Sequence, residues 1–194
     1  MHSASRSLKR TINVIIVFIG VALVKKLANL AQYKGGNTYR VFNVRFPDTA
    51  DPPIVFISTA IFVILFIALI YYLILLRSSV KDFMLSKFFT ANNSRRLKKV
   101  STGFLAFVII YFICSLFLEF HLSNLNPRQL NIEPGLYSKN PVYSEGYALG
   151  YTIGLSIGKN FALSFLIIFS LFISFIAETV NLGSLIKSEN DLTI

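Results

Sequence analysis

The chain has 194 residues, of which 54% are hydrophobic and only 14% are charged, about half the charged share of an average soluble domain. Its single cysteine excludes an internal disulfide, and its two histidines leave little material for a metal centre or a histidine-based catalytic triad. The net charge of +10 is compatible with nucleic acid or anionic lipid as a partner, and the apolar composition favours lipid.

The first apolar run, Thr11 to Val24, follows three basic residues and so resembles a secretory signal. However, Lys25 and Lys26 come directly after it, and no small-x-small cleavage site stands there. We therefore predict an uncleaved signal anchor over about 8–30, in which the two lysines snorkel or the helix continues through the sequence LANLAQY. A cleaved signal peptide is the alternative.

The next loop contains the sequence NTYRVFNVRFPD, in which Tyr39, Val41 and Asn43 alternate with the residues that follow each of them. Asp48 and the pair of prolines at 52–53 end this pattern. It predicts one short strand in the first outer loop. With the second outer loop, which three prolines should order by turns rather than helix, it is expected to form a small cap.

Three further apolar runs predict membrane-spanning helices. Residues 54–76 hold no charge, and 23 helical residues reach roughly 34 Å, enough to cross a hydrocarbon core of about 30 Å. A soluble helix does not need apolar residues on every face over that length. The remaining spans are predicted over about 101–122 and 146–180. The fold class is thus an all-α integral membrane protein with four transmembrane helices.

The last span begins with an unusual glycine pattern. Four glycines recur every fourth residue, at Gly146, Gly150, Gly154 and Gly158. On a helix this spacing makes one groove to which a neighbouring backbone approaches closely. We predict helix packing within the bundle or between copies, with a flexible gate or a substrate-facing groove as the alternative. Because this helix is longer than a bilayer, it either projects outward or bends near Lys159 and Asn160.

The positive charge predicts the orientation. Four spans put both termini on one side, and residues 77–100 carry seven Lys or Arg residues, the densest positive charge in the chain. By the positive-inside rule, this loop and both termini are cytoplasmic. The cluster at 95–99 then lies where the third helix enters the membrane, and contact with anionic headgroups there contributes about 1 kcal/mol per basic residue. Direct nucleic-acid binding is disfavoured because a basic turn beside a bilayer leaves no room for a duplex.

Two stretches carry a family resemblance. The sequence FFTANNSRRLKKVS resembles the segment F-T-x-x-N-x-x-R-L-[RK]-x-[IV] of a bacterial family, the domain of unknown function 2975, whose members are small four-helix membrane proteins. The end of the chain resembles that family's A-E pair and terminal E-x-D-L-T-[IV]. The first motif is matched by Phe89, Thr90, Asn93, Arg96, Leu97, Lys98 and Val100. The second motif is matched by Ala177, Glu178, Glu189, Asp191, Leu192, Thr193 and Ile194.

The resemblance implies little about activity, because members of the family are uncharacterised. Many are encoded next to small helix-turn-helix repressors, which suggests such a regulator as a partner by association. From the residues themselves, Thr90 is expected to cap the third helix with Asn93 as its reciprocal partner. Glu178 or the acidic tail is expected to pair with the basic cluster, at about 0–1 kcal/mol per exposed pair. The alternative is unpaired, solvated charge.

Catalysis has little support in the sequence. Glu119 and His121 are two residues apart and so face different sides of a helix, and Cys114 has no nearby base. Transport needs polar residues at mid-membrane, where the spans offer scattered hydroxyls, and an unpartnered Lys159 would be the clearest sign of a pathway. We predict a non-catalytic interaction or regulatory protein of the bacterial cytoplasmic membrane, with no cofactor. Its expected partners are membrane lipids and a second copy of the chain. A transporter or channel component is the alternative.

Overall fold

The structure, a computed structural model, describes residues 2–31, 39–46, 50–84, 89–125 and 141–192. This part of the chain consists of five α-helices and one β-hairpin. In chain order the elements are α1 (His2–Ala31), β1 (Tyr39–Val41), β2 (Val44–Phe46), α2 (Pro52–Met84), α3 (Ala91–Leu125), α4 (Pro141–Lys159) and α5 (Ala162–Leu192).

Four of these helices are long and apolar enough to cross a membrane. The segments that meet this description are Arg6–Ala31, Pro52–Asp82, Ala91–Leu122 and Ala162–Asn190. Their outward faces carry large apolar side chains, and Phe18, Phe117 and Phe175 are each about two-thirds exposed (71%, 67% and 69%). Exposed apolar surface on this scale is typical of a chain that meets lipid or a protein partner. The prediction of four long apolar helices is confirmed.

The ends of the helices differ from the predicted boundaries in ways that the local sequence explains. Helix α1 continues through Lys25 and Lys26 to Ala31, which is the second of the two predicted alternatives. Helix α2 begins at Pro52, where the missing N–H is no loss, and the N–H groups of Ile54 and Val55 bond to the carbonyl of Asp51.

The span predicted over 146–180 is divided into two helices. The helical pattern is interrupted at Asn160 and Phe161, and α5 restarts with the Leu163 N–H bonded to the Asn160 carbonyl at 2.8 Å. The interruption lies where the sequence predicts a bend as one alternative, near Lys159 and Asn160. Helix α5 alone is the fourth segment long enough to cross a membrane, and it extends to Leu192 rather than ending near 180.

The first outer loop holds two strands where one was predicted. Strands β1 and β2 pair antiparallel with Tyr39 opposite Phe46 and Val41 opposite Val44. Phe42 and Asn43 form the turn with φ of 52° and 61°, the signature of a type I′ hairpin turn. Asparagine adopts this left-handed conformation readily, whereas phenylalanine rarely does. The apparent alternation in the sequence therefore ran across a turn. The second outer loop, predicted to be ordered by turns, lies mainly outside the described residues.

The chain divides into two compact units, which we name by their contents. The collar unit comprises 1–27, 63–108 and 165–194 and contains the basic cluster. The hairpin unit comprises 28–62 and 109–164 and contains β1, β2 and α4. The core of the collar unit includes Leu97, Val100, Phe104, Ile173, Ala177 and Val180. The core of the hairpin unit includes Val41, Phe42, Val44, Phe46, Val55 and Tyr111.

Candidate functional site

The tip of the hairpin is buried in the hairpin unit. The Phe42 side chain is 1% exposed, and its ring meets Phe62 and Tyr111 edge to face, with ring centroids 5.4 and 5.0 Å away. Such aromatic pairs contribute about 0.5–1.5 kcal/mol beyond the area they bury. These contacts offset the unfavourable positive φ of Phe42 and fix the hairpin against α2 and α3.

A second contact holds the base of the hairpin to α2. The Thr59 hydroxyl donates its one hydrogen to the Val55 carbonyl at 2.7 Å, so the Tyr39 hydroxyl is the donor in their 3.1 Å contact. Burial raises the pKa of Tyr39, and the hydrogen bond to Thr59 lowers it by less. Tyr39 therefore stays protonated at neutral pH and keeps this donor role.

Around the tip, side-chain hydrogen bonds join the hairpin, α3 and the break between α4 and α5. The Asn43 amide donates to Asn160 Oδ1 at 3.0 Å and to the Lys159 carbonyl at 3.2 Å. The Asn160 amide donates to Ser115 Oγ and to the Ser156 carbonyl, both at 2.9 Å. Ser115 Oγ in turn donates to the Phe42 carbonyl at 3.0 Å. We call Asn43, Ser115 and Asn160 the tip network. It forms a closed ring of contacts that stabilises the broken helix.

An ion pair borders the tip network. Lys159 Nζ lies 2.6 Å from Glu119 Oε1, and the two side chains are 33% and 12% exposed. The second carboxylate oxygen, Glu119 Oε2, is buried with no hydrogen-bond partner among the described residues. The sequence does not predict this pair, because Glu119 and Lys159 are 40 residues apart. An unpartnered Lys159, the expected sign of a transport pathway, is not what the structure has. His121 instead stacks on Phe117, with ring centroids 6.2 Å apart.

Helix α4 has two different faces. Its inward face carries Thr152 and Ser156, both nearly fully buried, and their hydroxyls have no partner among the described residues. Asn160, just after the helix, continues this buried row. The glycine face is outward. No described residue lies within 4 Å of a Cβ added at Gly150, Gly154 or Gly158.

The outward orientation of the glycines bears on the prediction that the stripe packs within the bundle. At these three positions the stripe does not pack within the described part of the chain, because helical geometry turns the glycines away from the buried face. The surroundings of Gly146 lie outside the described residues. Packing against a second copy stays a prediction.

The first motif of the family resemblance is mostly built into the collar unit. The Asn93 N–H donates to Thr90 Oγ1 at 3.2 Å, which confirms that Thr90 caps α3. The prediction of Asn93 as the reciprocal partner is wrong, because Asn93 Oδ1 accepts no hydrogen bond from a described residue. Asn93 and Leu97 are buried, and Phe89 occupies the space that a Cβ at Gly183 of α5 would need. These motif residues therefore fix the start of α3 against α5.

The predicted pairing of Glu178 with the basic cluster is wrong among the described residues. Arg96 pairs with Asp82 of α2 at 2.9 Å and donates to Ser78 Oγ at 3.3 Å. Glu178 is exposed because it directly follows Ala177, which faces the core of the collar unit. Helices α3 and α5 are joined instead by hydrogen bonds, from Ser94 Oγ to the Ala177 carbonyl at 2.9 Å and from Ser170 Oγ to the Ser101 carbonyl at 2.7 Å.

The other predicted site residues are either exposed or outside the part of the chain that the structure describes. Glu189 is exposed on α5, the side chains of Asp191 and Leu192 lie outside the described part, and so does Thr193. Lys98 is exposed and lines a groove between α2 and α3 with other basic and aromatic residues. We call this the cationic groove. It is formed by Tyr71, Tyr72, Arg95, Lys98, Lys99, Thr102, Gly103 and Ala106.

The described residues contain no group of three His, Cys, Asp or Glu side chains placed to hold a metal ion. Comparison with known proteins gives no match, whether to a family model, a curated protein or a solved structure. The fold and the contacts described above therefore define the class, a helical protein with four helices long and apolar enough to cross a membrane.

Proposed function

We propose that this chain is a multi-pass protein of the bacterial cytoplasmic membrane that acts by binding another membrane helix, without catalysis. The observation that carries the proposal is the outward glycine face of α4. Its inward face already holds the tip network, so the helix is fixed in its own unit without using the glycines. A helix from outside the chain gives those glycines a packing partner.

Close packing is the main source of helix association in lipid, since burial of apolar surface gives no advantage there. A face of glycines lets two backbones approach until their atoms are in van der Waals contact along several turns. A second copy of this chain is the partner that requires no further component. In water, each glycine in a helix costs about 1 kcal/mol relative to alanine. A packing partner offsets this cost, whereas exposure alone does not.

Orientation and regulation complete the proposal. We place residues 77–100 and both termini in the cytoplasm on the density of Lys and Arg in that loop. The resemblance to the domain of unknown function 2975 supports a regulatory role through a small helix-turn-helix partner, by association. The exposed end of α5, residues 181–190, is cytoplasmic in this arrangement and accessible to a soluble protein.

The test compares leucine substitutions on two faces of α4. Gly150→Leu and Gly154→Leu are expected to reduce the yield of crosslinked dimer in membranes by tenfold or more, because an overpacked helix interface loses about 1–3 kcal/mol. Their thermal midpoints in detergent should not fall, since the added side chains meet open space. Tyr151→Leu introduces the same residue at an exposed position of α4 that lies beside the stripe, and it serves as the control.

Two results would count against the proposal. A lower thermal midpoint with the dimer retained would place the packing partner within the chain. Glycine variants that match the control in both assays would show that the stripe is not a packing face.

A transport role is the second candidate, and one observation favours it. Three buried oxygens in the hairpin unit have no described hydrogen-bond partner: Glu119 Oε2, Thr152 Oγ1 and Ser156 Oγ. Unsatisfied buried polar atoms suit a bound water, ion or solute. Solute or ion flux into liposomes that Glu119→Gln abolishes would move this function ahead of helix binding.

A further inference from the structure

The cationic groove has the composition of a ligand site. Lys98 and Lys99 lie three and four residues after Arg95, and Thr102 lies four and three residues after them, so all four border one face of α3. Tyr71 and Tyr72 of α2 form the opposite wall. The groove is open to its surroundings and has a volume of about 560 Å³, within the ordinary range of small-molecule sites.

The charge of the groove identifies the class of ligand. None of its three basic side chains makes an ion pair with a described carboxylate, whereas Arg96, on another face of α3, is paired with Asp82. Like charges at this spacing on a helix repel each other, and a bound anion removes that repulsion. Arginine in particular presents a planar fork that matches the oxygens of a phosphate.

The far end of the groove is apolar. Gly103 and Ala106 line this end, about 12 and 16 Å along α3 from Arg95 at 1.5 Å per residue. The Tyr72 ring fills the space beside Gly103 that a Cβ would take. Tyrosine rings with an apolar body and a polar tip are typical of the boundary between lipid and water. The groove thus passes from three cations to an apolar surface along a single helix face.

We propose that the cationic groove binds an anionic phospholipid. The phosphate lies among Arg95, Lys98 and Lys99, and an acyl chain follows the Tyr72 ring and Ala106 toward the apolar part of α3. This inference rests on the proposed membrane location, because it needs a bilayer as the source of the ligand. It goes beyond nonspecific contact with headgroups by assigning one lipid to one groove.

Lipid binding is measured by native mass spectrometry on protein released from nanodiscs of phosphatidylglycerol and phosphatidylcholine mixed in equal amounts. In the triple variant Arg95→Gln, Lys98→Gln, Lys99→Gln, the preference for phosphatidylglycerol over phosphatidylcholine should fall about 100-fold. Each of the three basic residues is expected to contribute a factor of about five to this preference. The control removes the same charge from α1, with Arg6→Gln, Lys9→Gln and Arg10→Gln, and should keep the preference.

A second variant tests the apolar end without changing the charge. Ala106→Phe fills the apolar end of the groove and should reduce retention of phosphatidylglycerol at least fivefold while the protein stays folded. Glycerol phosphate at millimolar concentration tests the source of the phosphate. It should not displace the lipid, because it has no acyl chain; displacement would assign the groove to a soluble phosphate and overturn the lipid proposal.

The failure of this proposal can be told apart from failure of the proposed function. Extraction of cell membranes at alkaline pH tests membrane insertion alone, and release of the protein would refute the membrane location. If the protein stays in the membrane but the groove variant and the α1 control retain phosphatidylglycerol equally, only the lipid site is refuted.

Discussion

The hairpin unit and the collar unit treat positive charge in opposite ways. In the hairpin unit, Lys159 is paired with Glu119 beside the tip network. In the collar unit, Arg95, Lys98 and Lys99 stand in an open groove with no described carboxylate partner. The polar groups of the first unit are used to hold its elements together. In the second unit, Ser94, Ser170 and Arg96 likewise join helices, but Arg95, Lys98 and Lys99 are available to a ligand. Mutation of these three residues should therefore affect binding more than stability.

The largest effect on stability is expected at the tip of the hairpin. Phe42→Ala removes a fully buried ring between Phe62 and Tyr111 and should lower the free energy of unfolding by about 3–5 kcal/mol. Denaturation in detergent measures this change. Phe18→Ala, at an exposed position of α1, should have little effect. Equal midpoints for the two variants would show that the hairpin is not part of the packed core.

The tip network should give the next largest effect. Asn160→Ala removes hydrogen bonds to Asn43 and Ser115 and leaves buried groups unpaired, at a cost of about 2–3 kcal/mol. The exposed Asn92 offers a matched control, and Asn92→Ala should change the thermal midpoint little. An Asn160 variant as stable as the control would mean that the broken helix does not depend on these contacts.

The smallest changes in stability are expected at two charged residues of the collar unit. Arg96→Gln breaks a partly exposed pair with Asp82 and should cost about 0.5–1 kcal/mol, less at high salt. Glu178→Gln should stay within about 0.5 kcal/mol of the wild type, because Glu178 makes no ion pair with a described residue. Both are read from the same unfolding curves. A larger cost for Glu178→Gln would restore the pairing that the sequence suggested.

The sequence predicted the features that depend on residues close to one another in the chain. Uninterrupted apolar runs predicted the four long helices, and Thr90 before a polar turn predicted the cap of α3. The hairpin was read as one strand because the turn at Phe42 and Asn43 lacks the glycine that usually marks a type I′ turn.

Contacts between distant residues could not be read from spacing. Glu119 and Lys159 are 40 positions apart, and nothing in either segment indicates that the other is its partner. The glycine spacing predicts that Gly150, Gly154 and Gly158 share one helix face, but it carries no information about which helix would cover that face. That depends on which side of α4 the tip network holds inward, and the network involves residues from three separate segments.

The orientation in the membrane is the central claim, because it places the cationic groove beside the anionic cytoplasmic leaflet. Single cysteines at two exposed positions, Arg45→Cys in β2 and Asn92→Cys in α3, test it in a Cys114→Ser background with a membrane-impermeant thiol reagent. If residues 77–100 are cytoplasmic, Arg45→Cys is labelled in intact cells and Asn92→Cys only after the cells are permeabilised. Labelling of Asn92→Cys in intact cells, with Arg45→Cys protected, would contradict this orientation.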